Sequence, residues 1–287
     1  MSLWKKQVLY SPMLSTFGGG SARGFNPGGG ASGPGAVGSA VNALDILGDG
    51  SCRSCLNMES GSDLNSSNTV IQGGGFSTAN KKWGSQSIYI PDGNDTTYIT
   101  SNGIDLSGGA VDGDYTLSVW FYLTALRTGG IQPPMMMNSG ADEDANGAIT
   151  VASPASGGVS SDRMFGKGRS SATSIDDGYD SGTTIAAGSW KHGLHVLDTT
   201  ADTYKQYLNG TLIKTTTSAS TTGGQPPGLA DSSDVDYLLG HEPDSFNPYG
   251  GFSGSQNIIG YVDQARIFNR VLNATEVGYV YNEQLIS

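Results

Sequence analysis

Apolar and polar side chains alternate with a period of two along the best-patterned parts of this chain. Leu117, Val119 and Phe121 alternate with Ser118, Trp120 and Tyr122, which predicts a strand whose two faces are used differently. Leu194, Val196 and Asp198 alternate with His195 and Leu197 in the same way, less cleanly. The strongest local signal is Tyr207-Leu208-Asn209-Gly210-Thr211-Leu212. Asn-Gly accepts the positive φ values of a two-residue hairpin turn, and the flanking residues supply the strands. Gly, Ser, Thr, Asn and Asp clusters punctuate the sequence at short intervals, and no long stretch repeats with helical period. The pattern predicts an all-β chain.

One short helix is expected at the end. Asn273 precedes Ala274-Thr275-Glu276, so Asn273 caps the first turn while Glu276 reaches back to its amide. Val277, Val280 and Tyr281 follow at i, i+3 and i+4 and form one buried face. Gly278 weakens this helix by about 1 kcal/mol relative to Ala, so packing must hold it.

The first 44 residues are a different material. Ser11 to Phe25 leads into a Gly/Pro/Ser-rich stretch reaching about Gly38, a composition that cannot bury enough apolar surface to fold by itself. Yet Trp4, Tyr10, Met13, Leu14, Phe17 and Phe25 stand where a plain tether has polar residues. Residues 1–44 are therefore read either as a tether or as an extended N-terminal anchor that orders against a partner subunit, its aromatic side chains filling pockets. Residues 127–162 are read as a long insertion, functional or disordered. The insertion holds Pro133-Pro134-Met135-Met136-Met137, whose methionines suit an adaptable subunit contact or core packing.

At 287 residues the chain has room for one large β-sandwich or two small domains. A formal charge of −11 argues against a nucleic-acid partner, which requires a basic footprint. No segment reaches the roughly 18 consecutive apolar residues of a membrane helix. Lys5-Lys6 is followed by a short apolar stretch broken by Pro12, which is not a secretory signal. If the protein works outside a cell it is expected to leave by another route, of which assembly into a particle released by lysis is the simplest. Cys52 and Cys55 form a lone C-x-x-C with no second ligand pair. On a regular strand residues three apart face opposite sides, so one buried and one ordinary thiol are expected rather than a zinc site or a disulfide.

Several ordered pieces carry a resemblance. Trp190-Lys191-His192 opens a strand ending at Asp198, followed by the hairpin from Tyr204 to Ile213, then Tyr237-Leu238-Leu239-Gly240 and the run from Gly260 to Leu272. Upstream lie Asp49 to Ser60, Lys82 to Ile90, Asp114 to Phe121 and Met164-Phe165-Gly166-Lys167-Gly168. In this order the pieces resemble a laminin-G-like, concanavalin A-type jelly roll, the lectin and glucanase sandwich. The resemblance implies a two-sheet antiparallel sandwich over residues 45–287, closed by the short C-terminal helix. The leader is similar to N-termini of structural proteins of marine tailed bacteriophages. Together these imply a non-enzymatic virion structural protein (tail, fibre or capsid decoration), a homo-oligomer bound to other virion subunits through its arm. Its jelly roll then binds host-surface glycan or serves only as decoration and cement. The less favoured alternative is an extracellular polysaccharide hydrolase.

Glucanases of this sandwich need two carboxylates facing the same side of one strand. Asp142-Glu143-Asp144 are adjacent instead, so they point to opposite faces. His192 fits the family's Trp-x-His strand pattern, a structural role. The resemblance also implies one Ca²⁺ near a sandwich edge, with Asp92, Asp95 and Asp263 as candidate ligands; otherwise these residues are turn formers. For glycan, Asp244, Asn247, Tyr249 and Phe252 place aromatic faces beside a carboxylate and an amide within nine residues, and Asp176 and Tyr179 offer a similar set. Sugar rings pack on aromatic faces while carboxylates and amides take hydroxyl groups. The alternative is that these side chains form turns or tuck into the sandwich edge.

Overall fold

The computed structural model describes residues 45–59, 69–72, 74–91, 98–106, 109, 113–126, 131–139, 147–152, 163–168, 179–217, 235–240 and 257–284. The N-terminal segment 1–44, with Trp4, Tyr10, Met13, Leu14, Phe17 and Phe25, lies outside them.

Among the described residues two antiparallel sheets face each other. The first contains β1 (Cys52–Leu56), β3 (Gly75–Ser77), β4 (Ser87–Ile90), β6 (Tyr115–Leu123), β11 (Trp190–Asp198), β12 (Thr203–Leu208), β13 (Thr211–Thr217) and β15 (Gly260–Phe268). Its strand order is β13-β12-β11-β6-β15-β4-β3, with β1 paired to the later half of β15. The second contains β2 (Thr69–Gln72), β5 (Tyr98–Ile104), β7 (Ile131–Ser139), β8 (Gly147–Ala152), β9 (Arg163–Gly168), β10 (Tyr179–Thr184) and β14 (Val235–Leu239), in the order β10-β9-β8-β7-β14-β5-β2. The expected all-β jelly-roll sandwich is therefore the fold.

The core lies between the sheets. Leu117, Val119, Phe121 and Leu123 of β6 and Val262 and Ile267 of β15 meet Met135, Met137, Ile149, Val151 and Met164 of the second sheet. Tyr204 enters the same core because Gly166 faces it. A Cβ at that glycine would lie 2.3 Å from the tyrosine ring. The Asn-Gly hairpin forms as expected between β12 and β13, with Asn209 at φ 51° and Gly210 at φ 76°.

The segment read as an insertion is corrected where it is described. Residues 131–139 and 147–152 are β7 and β8, paired with each other and, through β7, with β14. Two prolines disguised β7, since Pro donates no ladder hydrogen bond. The register shift between Gln132 and Met135 accommodates them. Met135, Met136 and Met137 are all buried within the chain, which is core packing rather than an exposed subunit contact.

Part of the outer face of the first sheet is covered. Leu194, Val196, Tyr207 and Phe268 pack there against Ile46 and Leu47 and against Val277 and Val280 of α1 (Ala274–Tyr281). The helix forms as predicted. Asn273 Oδ1 accepts from the Thr275 and Glu276 amides, and the Glu276 carboxylate accepts from the Asn273 amide. With eight residues, this helix is too short to cross a membrane.

Candidate functional site

Two irregularities in neighbouring strands set the chemistry of the outer face. In β15 the register shifts between Asp263 and Arg266, and Gln264 adopts a left-handed φ of 44°. Such a bulge adds one residue to the alternation. Asp263 and Arg266, three apart, both sit opposite even-numbered residues of β6, Trp120 and Ser118. In β1 a second shift between Cys52 and Ser54 does the same for Cys52 and Cys55. The two thiols, expected on opposite faces, are both buried in the cluster under α1. A bulge, which the sequence did not announce, changed the phase.

Around these residues an ionic and aromatic cluster is built. Trp120 lies 5.3 Å from Tyr281 in a stacked arrangement and 6.0 Å from Trp83 edge to face. The Lys82 ammonium stands 4.4 Å from the Trp120 ring centroid and 5.1 Å from that of Trp83, a cation–π arrangement strengthened by burial. Burial lowers the Lys82 pKa, against the pull of Asp263. Asp263 is fully buried, and its Oδ2 accepts the backbone amides of Lys82 at 2.9 Å and Trp83 at 3.0 Å. Burial raises its pKa well above the usual carboxylate range. Arg266 is buried and donates to the Glu283 carboxylate, whose pKa burial raises against the arginine's charge.

The two described histidines are structural. His192 Nε2 lies 2.8 Å from the Ser118 hydroxyl, and burial, reinforced by Arg266 and Lys82, lowers its pKa to about 3. On the inner face His195 Nδ1 lies 2.7 Å from the Tyr204 hydroxyl, and burial lowers its pKa to about 3. Both rings are neutral at physiological pH. His195 and the Arg266–Glu283 pair were not singled out from the sequence, where neither spacing nor pattern marks them.

Asp263, named above as a calcium candidate, is thus engaged in holding the 82–83 backbone against the sheet. No cluster of three or more His, Cys, Asp or Glu that could hold a metal occurs among the described residues. Asp92, Asp95, Asp176, Asp244, Asn247, Tyr249 and Phe252 lie outside the described residues, as do Asp142-Glu143-Asp144. Tyr179 begins β10 opposite Gly166. Asp114, at the mouth of β6, accepts from both the amide and the hydroxyl of Thr199, at 2.8 and 2.7 Å.

A family model described as the concanavalin A-like lectin/glucanases superfamily, of laminin-G type, matches residues 92–278. Similar solved structures include a domain of an extracellular arabinanase and structures of bacterial toxins. Domain 4 of an extracellular arabinanase from Geobacillus stearothermophilus, solved with arabinotriose, is 18% identical at a TM-score of 0.53, covering 80% of this chain and 98% of that one. The binding domain of Paraclostridial Mosquitocidal Protein 1 is 16% identical at 0.53, covering 80% and 52%. The botulinum neurotoxin type C structure, whose description names two ganglioside molecules, is 13% identical at 0.53, covering 81% and 51%. The chain thus spans almost all of the arabinanase domain and about half of the toxin structures. At these identities the likeness is one of fold. No curated protein matches the chain.

Proposed function

Because the chain belongs to the concanavalin A-like lectin/glucanase superfamily, we propose that it is a non-enzymatic structural protein of a bacteriophage particle whose jelly roll binds host-surface glycan. What favours binding over hydrolysis is how three acidic groups of the described frame are used. Asp263 and Glu283 are buried in internal hydrogen bonds, and Asp114 holds a turn. Glycoside hydrolysis uses two carboxylates flanking a bond of a bound sugar, and these three are committed elsewhere. The arabinotriose bound in one similar structure and the gangliosides named for another support a carbohydrate ligand.

The particle half is supported by the leader's resemblance to bacteriophage structural proteins and by its Gly-rich, aromatic-bearing composition. In this reading residues 1–44 attach the protein to other virion subunits, the jelly rolls associate as a homo-oligomer, and the particle is assembled in the host cytoplasm. In this reading calcium binds at Asp92 and Asp95, and Asp244, Asn247, Tyr249, Phe252, Asp176 and Tyr179 contribute sugar contacts. The purified full chain is expected to compete with particles for adsorption to host cells and to occur at stoichiometric copy number in purified particles. Stoichiometric incorporation without competition would leave a decoration protein that binds no sugar. Absence from the particle would overturn the virion role.

A further inference from the structure

At one end of the first sheet the outer face is left partly open among the described residues. Four aromatic side chains stand there in register across four adjacent strands: Tyr89 on β4, Tyr261 on β15, Tyr122 on β6 and Trp190 on β11. Successive ring centroids lie 4.9, 6.0 and 5.8 Å apart. Tyr89 is 36% exposed, and the other three are half-buried. The next register position, on the edge strand β3, is Gly75, where a side chain would meet nothing within 4 Å. The row therefore opens onto free space at its β3 end. At its other end the Trp190 indole N–H donates to Asn80 Oδ1 at 3.0 Å, which fixes the ring.

Cross-strand aromatic pairs stabilise a sheet, and that accounts for neighbouring rings touching. It does not account for four of them standing together at the solvent boundary beside Trp120, which on the same face is buried under Trp83 and Tyr281. Exposed apolar residues scattered singly are ordinary; a contiguous run marks an interaction site.

We propose that this row is a binding track for a single chain of a neutral polysaccharide, running across the strands with successive sugar units over successive rings. Neighbouring strands are about 4.8 Å apart, so the sheet itself imposes a repeat close to the advance of one sugar unit in an extended chain. Ring faces take the C–H faces of sugars, and the tyrosine hydroxyls at the ring margins donate to and accept from sugar hydroxyls. Adjacent ring planes are inclined by 43°, 79° and 62°, so the track is twisted. It fits one flexible chain and not the flat face of a crystalline fibre. The net charge of −11 opposes a polyanionic ligand, which leaves a neutral one. The inference rests on the glycan-binding reading above and gives it residues on the described sheet other than those named from sequence.

The test uses the full chain in native affinity electrophoresis through gels containing β-glucan, mannan, xylan or arabinan, with hydroxyl-radical footprinting alongside. At least one polysaccharide should retard the parent. Tyr89→Ala and Tyr122→Ala should each weaken that binding by about tenfold, the upper range for one aromatic contact, while Tyr89→Phe retains it. Saturating polysaccharide should protect Tyr89 and Tyr122 from oxidation. Retardation equal in parent and alanine variants would overturn the track and leave glycan binding standing. No retardation of the parent by any of the four would overturn both. Tyr89 unreactive in the dilute chain alone would assign the row to the protein's own N-terminal segment. Protection arising only at high protein concentration would assign it to a second copy. Either result would overturn a sugar occupant.

Discussion

Replacing Trp120 by Ala removes the side chain on which the outer cluster is assembled. The indole is 2% exposed. It stacks on Tyr281 at 5.3 Å, receives the edge of Trp83 at 6.0 Å and carries the Lys82 ammonium at 4.4 Å. Truncating a buried Trp costs about 3–5 kcal/mol. Because the cavity lies between the sheet, the 82–83 loop and the end of α1, loss of these contacts should place Trp120→Ala in the upper part of that range. Domain stabilities are about 5–15 kcal/mol, so a large share is removed. In a domain of this size each kcal/mol shifts the melting temperature by about 2–4 °C, giving a fall of roughly 10 °C or more. Trp190→Ala, at a half-buried position, should fall clearly less. Urea unfolding and thermal melts of both variants provide the assay. A Trp120→Ala protein that melts with the parent, or no lower than Trp190→Ala, would refute the packing described for this face.

Other expected outcomes follow from single features. Asn273→Ala should cost about 1 kcal/mol by removing the helix cap, read from urea unfolding. Gly278→Ala should stabilise by about 1 kcal/mol, because the added methyl meets nothing within 4 Å. Burial raises the Glu276 carboxyl, but hydrogen bonds from Arg270 and the Asn273 amide outweigh it and hold the pKa below its usual 4.5. The stability this contributes is present above pH 4.5 and lost as pH falls through the folded-state value. The gap between parent and Glu276→Gln should therefore be present at pH 7 and close in strong acid, measured by unfolding at both. Both thiols are buried, so Ellman's reagent should titrate neither rapidly in the native protein and both in denaturant.

The parts of this fold legible in the sequence are those whose chemistry is local. Asn209-Gly210 demands a left-handed turn, and Asn273 with Glu276 spells a capped helix; both stand where they were read. The alternation of β6 predicted the strand, but not that Thr116, Ser118 and Trp120 on its outer face are as buried as the inner residues. For Trp120 that burial comes from Trp83 and from Tyr281 of α1, distant in sequence. Bulges defeated the reading of Cys52 and Cys55, since a one-residue shift arises from pairing with β15 and leaves no composition mark. Pro133-Pro134 hid β7 for the opposite reason, a local prohibition overridden by an irregular register. The aromatic row was invisible because Tyr89, Tyr122, Trp190 and Tyr261 become neighbours only when four strands are paired. Asp244, Asn247, Tyr249 and Phe252 stand out by composition alone and lie outside the described residues.

Central to the account is that this jelly roll is a sugar-binding frame. Isothermal titration of the full chain with a soluble neutral polysaccharide that retards it in affinity gels tests this most directly. Saturable binding is expected, with no new reducing ends appearing after prolonged incubation and a clear loss of affinity in Tyr89→Ala. Release of reducing ends by the parent would contradict the non-enzymatic reading, and an absence of saturable heat would contradict sugar binding itself.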